Sequence, residues 1–329
     1  MNVLSEAWHA VARLSDIGHK PKRIMFFGKP VVLFRSGAKI AALYDRCPHR
    51  LVELSGGKVC NGEIECPYHG WRFNASGYCT AIPGLIEKTP ALRIPTLQTF
   101  EKEGVLFLSK GRPEHLPYLH CMEGRETRIK LVRSQTRTSV LDAAENILDA
   151  THTHFTHKGL LRGLSPKRQR VRVTITGGDG WVEACYTGEE RQHGLISRLL
   201  EGPRLKTIGR FRYPGMAELE YWSVKGLVLA TTFHLRQSTN EHVEGIGCLI
   251  GPRGGILDYL KSFAFGPMFS IALQQDRKVL KSSSKNAAFF PNVKPVIGPL
   301  DFLRRDIEAI MAGKLPEAAN TPSTCFIDL

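Results

Sequence analysis

The N-terminal third of the chain contains short apolar runs of the length of β-strands, bounded by turn-forming residues. Residues 30–35 and 39–44 are two such runs, and the intervening Ser36-Gly37-Ala38 is typical of a hairpin turn. Residues 104–108 form a further short apolar run that we interpret as a closing strand. We therefore predict a small antiparallel β-domain in this part of the chain.

The rest of the chain mixes the strand period with the helix period. Residues 227–235 and 243–250 predict a second hairpin, since turn-forming residues separate two strand-like runs. Residues 140–152 contain no Gly or Pro and are rich in helix formers, and Ser139 is a good N-cap. Residues 300–313 predict an amphipathic helix that stops at a glycine.

The segment Gly111-Arg112-Pro113 breaks the strand pattern, and we place a domain boundary there. This gives one domain over residues 1–112 and a second over residues 113–329. Residues 195–200 are amphipathic and fit either a short lid or a surface helix.

The composition is that of an ordinary globular protein. The chain has 329 residues, of which 42% are hydrophobic, enough for a core in each of two domains. No run of eighteen apolar residues occurs, and the first residues lack the pattern of a secretory signal. We therefore expect a cytoplasmic protein without a membrane anchor, in which most of the eight cysteines are reduced and structural.

The formal net charge of +14 raises the question of a nucleic-acid partner, and residues 167–172 are locally very basic. These residues adjoin the alternation Val171, Val173, Ile175, which favours a strand with one solvated basic face. No helix-turn-helix signature or aromatic-rich binding strand accompanies them. We expect no nucleic-acid partner; an acidic redox partner or an anionic substrate would account for the charge.

Two short loops carry metal-ligating residues. Cys47-Pro48-His49 and Cys66-Pro67-Tyr68-His69 each offer one thiolate and one imidazole, with sixteen residues between His49 and Cys66. Two sulfur and two nitrogen donors suit a tetrahedral zinc ion or an iron–sulfur centre. One donor of each kind on each loop favours two metals side by side, as in a Rieske [2Fe-2S] cluster, over a structural zinc knuckle.

The amino-acid sequence of these loops also resembles that of a known family. Cys-Pro-His-Arg at residues 47–50 and Cys-Pro-Tyr-His-Gly-Trp-Arg-Phe at residues 66–73 closely resemble the Rieske domain of Rieske non-heme iron oxygenases. The resemblance implies that Cys47, His49, Cys66 and His69 hold a [2Fe-2S] cluster.

Three histidines follow the predicted helix over residues 140–152. At about 100° per residue, His152 and His157 would lie about 140° apart on a straight helix, too far for one ion. The helix must therefore end or bend between them if both bind a metal. His154 would point away from His152 and is the weaker candidate. Taken alone, the cluster fits a metal site and a set of satisfied polar side chains equally well.

The resemblance resolves this ambiguity. Asn146, Asp149, His152 and His157 have the spacing Asn-x-x-Asp-x-x-His-x-x-x-x-His of the mononuclear iron site in Rieske oxygenases. A 2-His-1-carboxylate site needs one further acid, and the resemblance points to Asp276 in residues 274–280. Without the resemblance, a surface aspartate paired with a neighbouring basic residue would be the simpler interpretation.

The resemblance implies a further role for Asp149. In the family, a matching aspartate connects the Rieske cluster of one subunit with the iron of the next in a head-to-tail homotrimer. On this chain the partners would be His69 of one copy and His152 of its neighbour.

The resemblance covers the whole chain and implies an α+β protein, in which an all-β Rieske domain precedes a helix-grip, START-like α+β catalytic domain. No G-x-G-x-x-G after a strand and no P-loop occurs, so electrons from NAD(P)H would arrive through a separate reductase, with or without a ferredoxin. The expected cofactors are the [2Fe-2S] cluster and a mononuclear Fe(II), with O2 as co-substrate.

The chain is short for the family, as in the vanillate and dicamba O-demethylases. We therefore expect monooxygenation, by hydroxylation or demethylation, of a small aromatic or heterocyclic compound. The alternatives are cis-dihydroxylation and a Rieske electron carrier without catalysis. Asn146 and His234 are candidates for the substrate pocket, although a satisfied strand histidine is the simpler explanation of His234.

Overall fold

The computed structural model describes two compact units. The residues described are 3–161, 164, 168–189, 204–252 and 256–329. One unit comprises Met1–Tyr118 with Arg236–Asn240, and the other comprises Leu119–Leu235 with Glu241–Leu329. The boundary predicted at residue 112 stays a prediction, and the segment proposed as a lid, residues 195–200, lies outside the described residues.

The first unit is built from three small antiparallel sheets. Its strands are β1 (His9–Arg13), β2 (Lys22–Phe26), β3 (Lys29–Ser36), β4 (Lys39–Tyr44), β5 (Lys58–Cys60), β6 (Glu63–Glu65), β7 (Arg72–Phe73), β8 (Cys79–Ala81), β9 (Gln98–Lys102) and β10 (Val105–Ser109). The sheet orders are β1-β10-β9, β2-β3-β4 and β5-β6-β7-β8. The predicted hairpin is confirmed, with Gly37 at φ 62° in its turn, and so is the closing strand.

Strand β3 contains a continuous apolar run because both of its faces are buried. Val31 and Leu33 belong to one core cluster, whereas Val32 and Phe34 belong to another. Because side chains alternate across a strand, a strand covered on both sides needs apolar residues at every position. The hairpin of β5 and β6 fills the interval between the two ligand loops.

The second unit is an eight-stranded antiparallel sheet with helices. Its strands are β11 (Thr127–Arg137), β12 (Arg170–Gly178), β13 (Trp181–Thr187), β14 (Arg204–Arg212), β15 (Met216–Ser223), β16 (Gly226–Thr239), β17 (His242–Pro252) and β18 (Ser323–Asp328), in the order β11-β17-β16-β15-β14-β13-β12-β18. Its helices are α1 (Val140–Leu148), α2 (Thr153–Thr156), α3 (Ile256–Ala287), α4 (Arg304–Met311) and α5 (Glu317–Asn320).

One face of this sheet packs against the helices. Ala144 and Leu148 of α1 are buried in the same cluster as Val182 and Phe211 of the sheet. Helix α3 packs against β11, β17 and α1. This packing of helices against an antiparallel sheet confirms the α+β fold class.

The helix predicted over residues 140–152 ends earlier, at Leu148. Ser139 caps its start as predicted, because its side chain accepts a hydrogen bond from the Asp142 backbone N–H. At the other end, Asp149 has an extended backbone, and its carboxylate accepts from the backbone N–H groups of Thr151 (2.6 Å) and His152 (3.2 Å). The side chain thus offers these N–H groups an alternative to helical bonding.

His152 therefore lies beyond the helix, and the prediction that the helix extends to His152 is wrong. The C-terminal helix is also shorter than predicted. It begins at Arg304 because residues 298–301 form a turn in which the Asp301 carboxylate accepts from Gly298 N–H at 2.6 Å. Its predicted glycine stop is confirmed, with Gly313 at φ 72°.

Candidate functional site

The two ligand loops of the first unit share one backbone conformation. Leu51 N–H donates to the Cys47 carbonyl at 2.9 Å, and Gly70 N–H donates to the Cys66 carbonyl at 3.1 Å. Leu51 and Gly70 both have a left-handed backbone, at φ 60° and 68°. Each loop therefore turns within five residues and directs its cysteine and histidine toward the other loop.

The metal-ligating residues of these loops differ in burial: the two cysteines are buried and the two histidines are exposed. Cys47 and Cys66 are 2% and 3% exposed and their thiols interact, while His49 and His69 are exposed, with ring centroids 4.7 Å apart. Burial raises the pKa of Cys47 to about 11, so a bound metal must displace a thiol proton. Two inner sulfurs and two outer imidazoles fit a cluster with thiolates on one iron and imidazoles on the other.

A second set of donor atoms converges in the other unit. The Nε2 atoms of His152 and His157 lie 3.2 Å apart, and Asp276 Oδ1 lies 3.4 Å and 3.0 Å from them, respectively. Neighbouring ligands of an octahedral ion at about 2.1 Å would lie about 3.0 Å apart. The spacing therefore fits three ligands on one face of a six-coordinate ion.

The hydrogen bonds on the far side of the imidazoles support this assignment. His152 Nδ1 lies 2.6 Å from the backbone carbonyl of Asp149, and His157 Nδ1 lies 2.8 Å from Gln275 Oε1. Because these oxygens only accept, each Nδ1 carries the proton and each Nε2 has a free lone pair. Asp276 Oδ1 is buried and accepts no hydrogen bond from any residue in the described ranges. Three acceptors that face one another are stable only around a cation.

Charge within the site follows from the same contacts. Burial lowers the pKa of His152, but the carboxylates of Asp149 and Asp276 outweigh it and raise the pKa to about 9. Burial opposes ionisation of Asp276, yet the two histidines hold its pKa below the usual value. Without a metal, a proton bound to His152 would supply the positive charge that the carboxylates favour.

The helix break positions these ligands. Since α1 ends at Leu148 and α2 covers only Thr153–Thr156, His152 and His157 lie at the two ends of one short turn. Asp276 comes from the middle of α3. The helix does break, but it breaks at Asp149, before His152, and not between the two histidines as predicted.

The three donor groups open onto a largely apolar cavity of about 130 Å³ inside the second unit. Leu148, Leu219, Phe233, Phe269 and Leu273 form much of its apolar surface. A cavity of about 150 Å³ with such walls holds a benzene ring. The space is therefore suited to a compound with one small ring.

The structure places the other predicted site residues as follows. Asn146 and Asp149 line the cavity. His234 is 5% exposed, its Nε2 lies 2.7 Å from the Leu119 carbonyl, and it is not among the described residues that line the cavity. His154 does not belong to the convergent group of donors.

Sequence reasoning missed several residues of the site: one beside a metal ligand and six that line the cavity. They are Gln275, Tyr186, Glu189, Arg204, Thr207, Tyr221 and Thr231. Only Gln275 had a local signal, since it directly precedes Asp276. The others lie on β13 to β16 or, for Glu189, just after β13, and the register of these strands brings them together. Among the helices in the described ranges, none has the length and apolar character needed to cross a membrane.

The chain is similar in sequence to a known domain family and to several known proteins. Residues 7–101 match the Rieske [2Fe-2S] domain family. The chain is 31% identical over 174 residues to methylxanthine N3-demethylase NdmB of Pseudomonas putida, which covers 48% of this chain and 49% of that protein. It is 31% identical over 168 residues to the 3-chlorobenzoate-3,4-dioxygenase oxygenase subunit of Comamonas testosteroni, covering 48% and 38%. The matched region thus spans about half the length, or less, of these curated relatives.

Among solved structures, dicamba monooxygenase bound to dicamba superposes with a TM-score of 0.78 at 17% identity, over 95% of this chain and 97% of that one. At this identity the match shows the fold. Residues 7–101 are thus similar to a Rieske [2Fe-2S] domain, and the similar proteins include a demethylase and the oxygenase subunit of a dioxygenase. Such a domain and such homologues imply a Rieske cluster together with a mononuclear iron.

Proposed function

We propose that this chain is the terminal oxygenase component of a Rieske oxygenase and that it monooxygenates a small aromatic or heterocyclic compound. The observation that carries the proposal is the convergence of His152, His157 and Asp276 at the wall of an apolar cavity of one-ring size. A purely electron-carrying protein would need neither the second ligand set nor the cavity.

We assign the cluster to Cys47, His49, Cys66 and His69 and the mononuclear iron to His152, His157 and Asp276. When bound, the cluster supplies electrons singly, and the iron supplies a site at which dioxygen is activated. The domain boundary at residue 112 is part of the same proposal.

The chain's own residues have three tasks in this reaction. The Asp149 carbonyl and Gln275 hold the two imidazoles with Nε2 toward the site. The apolar wall excludes water and positions the reacting carbon. Asn146, on α1, lines the cavity and is placed to contact the substrate.

The proposed reaction consumes one O2, two electrons and two protons for each substrate. One oxygen atom enters a C–H bond and the other leaves as water. On an O-methyl or N-methyl group, the resulting hydroxymethyl group breaks away as formaldehyde and leaves the free hydroxyl or amine. A reductase, with or without a ferredoxin, would supply the electrons from NAD(P)H.

The methylxanthine demethylase and dicamba monooxygenase among the similar proteins favour demethylation. The dioxygenase subunit among them favours a second candidate, cis-dihydroxylation of a ring. The two reactions differ in product, since one removes a methyl group or adds one oxygen and the other adds two hydroxyl groups.

A screen of small ring compounds with a surrogate reductase tests the proposal. The enzyme, the reductase, NADH and O2 are incubated with each compound, and the product masses and formaldehyde are measured. We expect an oxygenated or demethylated product, with NADH consumed in proportion. A variant lacking Asp276 is the matched control for oxidation by the reductase alone. If no compound is oxygenated although both metal centres are loaded, the proposal is contradicted.

A further inference from the structure

One wall of the cavity is made of hydroxyl groups. Tyr186 pairs with Thr207 across β13 and β14, and Thr207 pairs with Tyr221 across β14 and β15. Directly paired residues of an antiparallel sheet lie on the same face, so these three form one row. Thr231 lies two residues beyond Leu229, the partner of Tyr221, and therefore occupies the next row of that face. We call Tyr186, Thr207, Tyr221 and Thr231 the hydroxyl wall; all four line the cavity.

Thr231 and Asn146 of the cavity lining each have a polar side-chain atom without a hydrogen-bond partner among the described residues. Thr231 is 1% exposed and its Oγ1 is buried without a partner. The side-chain carbonyl oxygen of Asn146 is buried in the same way. A buried polar atom without a hydrogen-bond partner costs free energy. Such atoms in a binding cavity therefore indicate a ligand that forms the missing hydrogen bonds. A hydroxyl offers both a donor and an acceptor, whereas the amide oxygen needs a donor.

The wall is backed by a buried ion pair. Arg204 Nη1 donates to Glu189 Oε2 at 2.6 Å, and the two side chains are 6% and 2% exposed. Thr207 Oγ1 lies 3.4 Å from the same carboxylate oxygen. The guanidinium charge is thus already matched by a carboxylate within the lining, and an incoming anion would have to compete with Glu189 for it.

The side-chain charges of the described cavity lining also balance. Its carboxylates are Asp149, Glu189 and Asp276, and its guanidinium is Arg204. With neutral histidines, these three negative charges are offset by Arg204 together with the two positive charges of a ferrous ion. An anionic substrate would therefore bury a charge without a counter-charge, which proteins avoid. The positive net charge of the whole chain does not extend into this cavity.

We propose, on the basis of the oxygenase function above, that the hydroxyl wall and Asn146 bind an uncharged hydrogen-bonding group of the substrate. An amide or a ring lactam fits, because it brings the N–H donor that Asn146 needs and the carbonyl acceptor that a hydroxyl can use. The cavity then selects a neutral one-ring amide over the carboxylate of the same shape and over the bare ring.

Three matched probes test this selection: para-methoxybenzamide, para-methoxybenzoate and anisole. Isothermal titration calorimetry on the enzyme with both metal centres loaded gives the affinity of each. We expect the benzamide to bind about tenfold or more tightly than either of the others, since each lacks a required feature. An affinity for the benzoate equal to or above that for the benzamide, or no binding of the benzamide up to its solubility, overturns the proposal.

Substitutions locate the contact. Thr231→Val removes the unpartnered hydroxyl group at nearly constant side-chain volume. Tyr186→Phe removes the phenolic hydroxyl group and keeps the ring. Each should weaken benzamide binding about fivefold to tenfold and leave anisole binding unchanged. Thr174→Val, on the opposite face of the sheet from the buried Val173 and Ile175, is the matched control and should change neither. Unchanged benzamide affinity in Thr231→Val contradicts the assignment.

These measurements distinguish a failure of the proposed polar subsite from a failure of the proposed oxygenase function. Selective binding of the benzamide without demethylation would preserve the polar subsite and contradict the oxygenase function. Demethylation of a more tightly bound benzoate would preserve the oxygenase function and contradict the polar subsite.

Discussion

Gln275 and His157 are joined by a hydrogen bond of 2.8 Å from the imidazole Nδ1 to the side-chain carbonyl oxygen. The residue after Gln275 is Asp276, whose Oδ1 lies 3.0 Å from Nε2 of the same imidazole. Two consecutive residues of α3 thus hold both sides of His157: one fixes its tautomer, and the other shares the face at which a metal would bind.

Removal of this hydrogen bond should weaken iron binding. Gln275→Met keeps the length of the side chain but loses the acceptor, so the imidazole is free to rotate or change tautomer. We expect the mononuclear iron affinity to fall by about tenfold to one-hundredfold. Competition with a chelator measures it, and the visible absorbance of the [2Fe-2S] cluster serves as an internal reference.

Two variants separate orientation from simple disturbance of α3. Gln275→Glu retains an acceptor and should retain the iron, and Gln274→Met changes the exposed neighbouring glutamine and should have no effect. Equal iron affinity in Gln275→Met and Gln274→Met would show that His157 is held by other contacts.

Asp276→Ala should remove the mononuclear iron and abolish product formation while the Rieske spectrum persists. The reason is that the two ligand sets share no residue and lie in different units. Metal analysis and absorbance spectroscopy measure the two centres separately. His154→Ala is the matched control, because His154 lies outside the convergent group, and it should keep the iron. Full activity of Asp276→Ala would mean that another carboxylate completes the site.

Cys66→Ser should abolish the [2Fe-2S] cluster, since a serine hydroxyl is a far poorer iron ligand than a buried thiolate. Much of the second unit should stay folded, because its core cluster contains no residue of the ligand loops. Cys60→Ser, in the hairpin between the two loops, should leave the cluster intact. Iron and acid-labile sulfide analysis of anaerobically prepared protein measures the cluster; stoichiometric zinc without sulfide in the parent would contradict the assignment.

Local features of the fold and the site were accessible from sequence because local chemistry determines them. Gly37 predicted a turn that needs a left-handed backbone, and Ser139 predicted a helix start. The angle between His152 and His157 predicted a break in the helix. Its location was missed, because the Asp149 side chain competes with helical hydrogen bonding, and a helical pattern alone does not reveal that competition.

Long-range features were not accessible. Tyr186, Thr207 and Tyr221 are spread over three strands, and their row exists only because the register of β13, β14 and β15 aligns them. A shift by one residue would turn each to the other face. Asp276 was assigned by resemblance alone, because a helical aspartate beside basic residues has no local mark of a ligand.

His234 should make stability depend on pH. Burial lowers its pKa, so the unfolded chain, with a pKa of about 6.5, takes up a proton before the folded chain does. The contribution is complete above about pH 6.5, and the free energy of unfolding falls by up to about 1.4 kcal/mol per pH unit below it. Urea unfolding at several pH values measures this slope.

His234→Gln is the matched comparison for this slope. Glutamine keeps a donor for the Leu119 carbonyl, which His234 Nε2 approaches to 2.7 Å, but does not titrate. The difference in stability between parent and variant should therefore change with pH below about 6.5 and stay constant above it. Parallel profiles across the whole range would show that another group is responsible.

The last prediction concerns Asp149, the proposed link between the two metal centres. Its carboxylate accepts from Thr151 N–H and Oγ1 at 2.6 Å each, and its Oδ2 lies 3.5 Å from His152 Nδ1. Burial opposes its ionisation, but the hydrogen bonds from His152 and Thr151 hold its pKa below the usual value, so a negative charge persists there at neutral pH. We propose that in a head-to-tail homotrimer this charge also orients His69 of a neighbouring copy, so that electrons pass from one chain's cluster to the next chain's iron.

Asp149→Asn should keep both metal centres, because His152 Nδ1 donates to the backbone carbonyl of residue 149, which the substitution leaves in place. It should nevertheless sharply slow oxidation of the reduced cluster in the presence of substrate and O2, since the charge that favours the two imidazole N–H donors is lost. Stopped-flow recovery of the cluster absorbance measures this rate. Thr151→Val is the control that removes one hydrogen bond to the carboxylate without its charge, and it should stay close to the parent rate. Reoxidation of Asp149→Asn at the parent rate, or full activity of the parent as a monomer in analytical ultracentrifugation, would exclude the route between subunits.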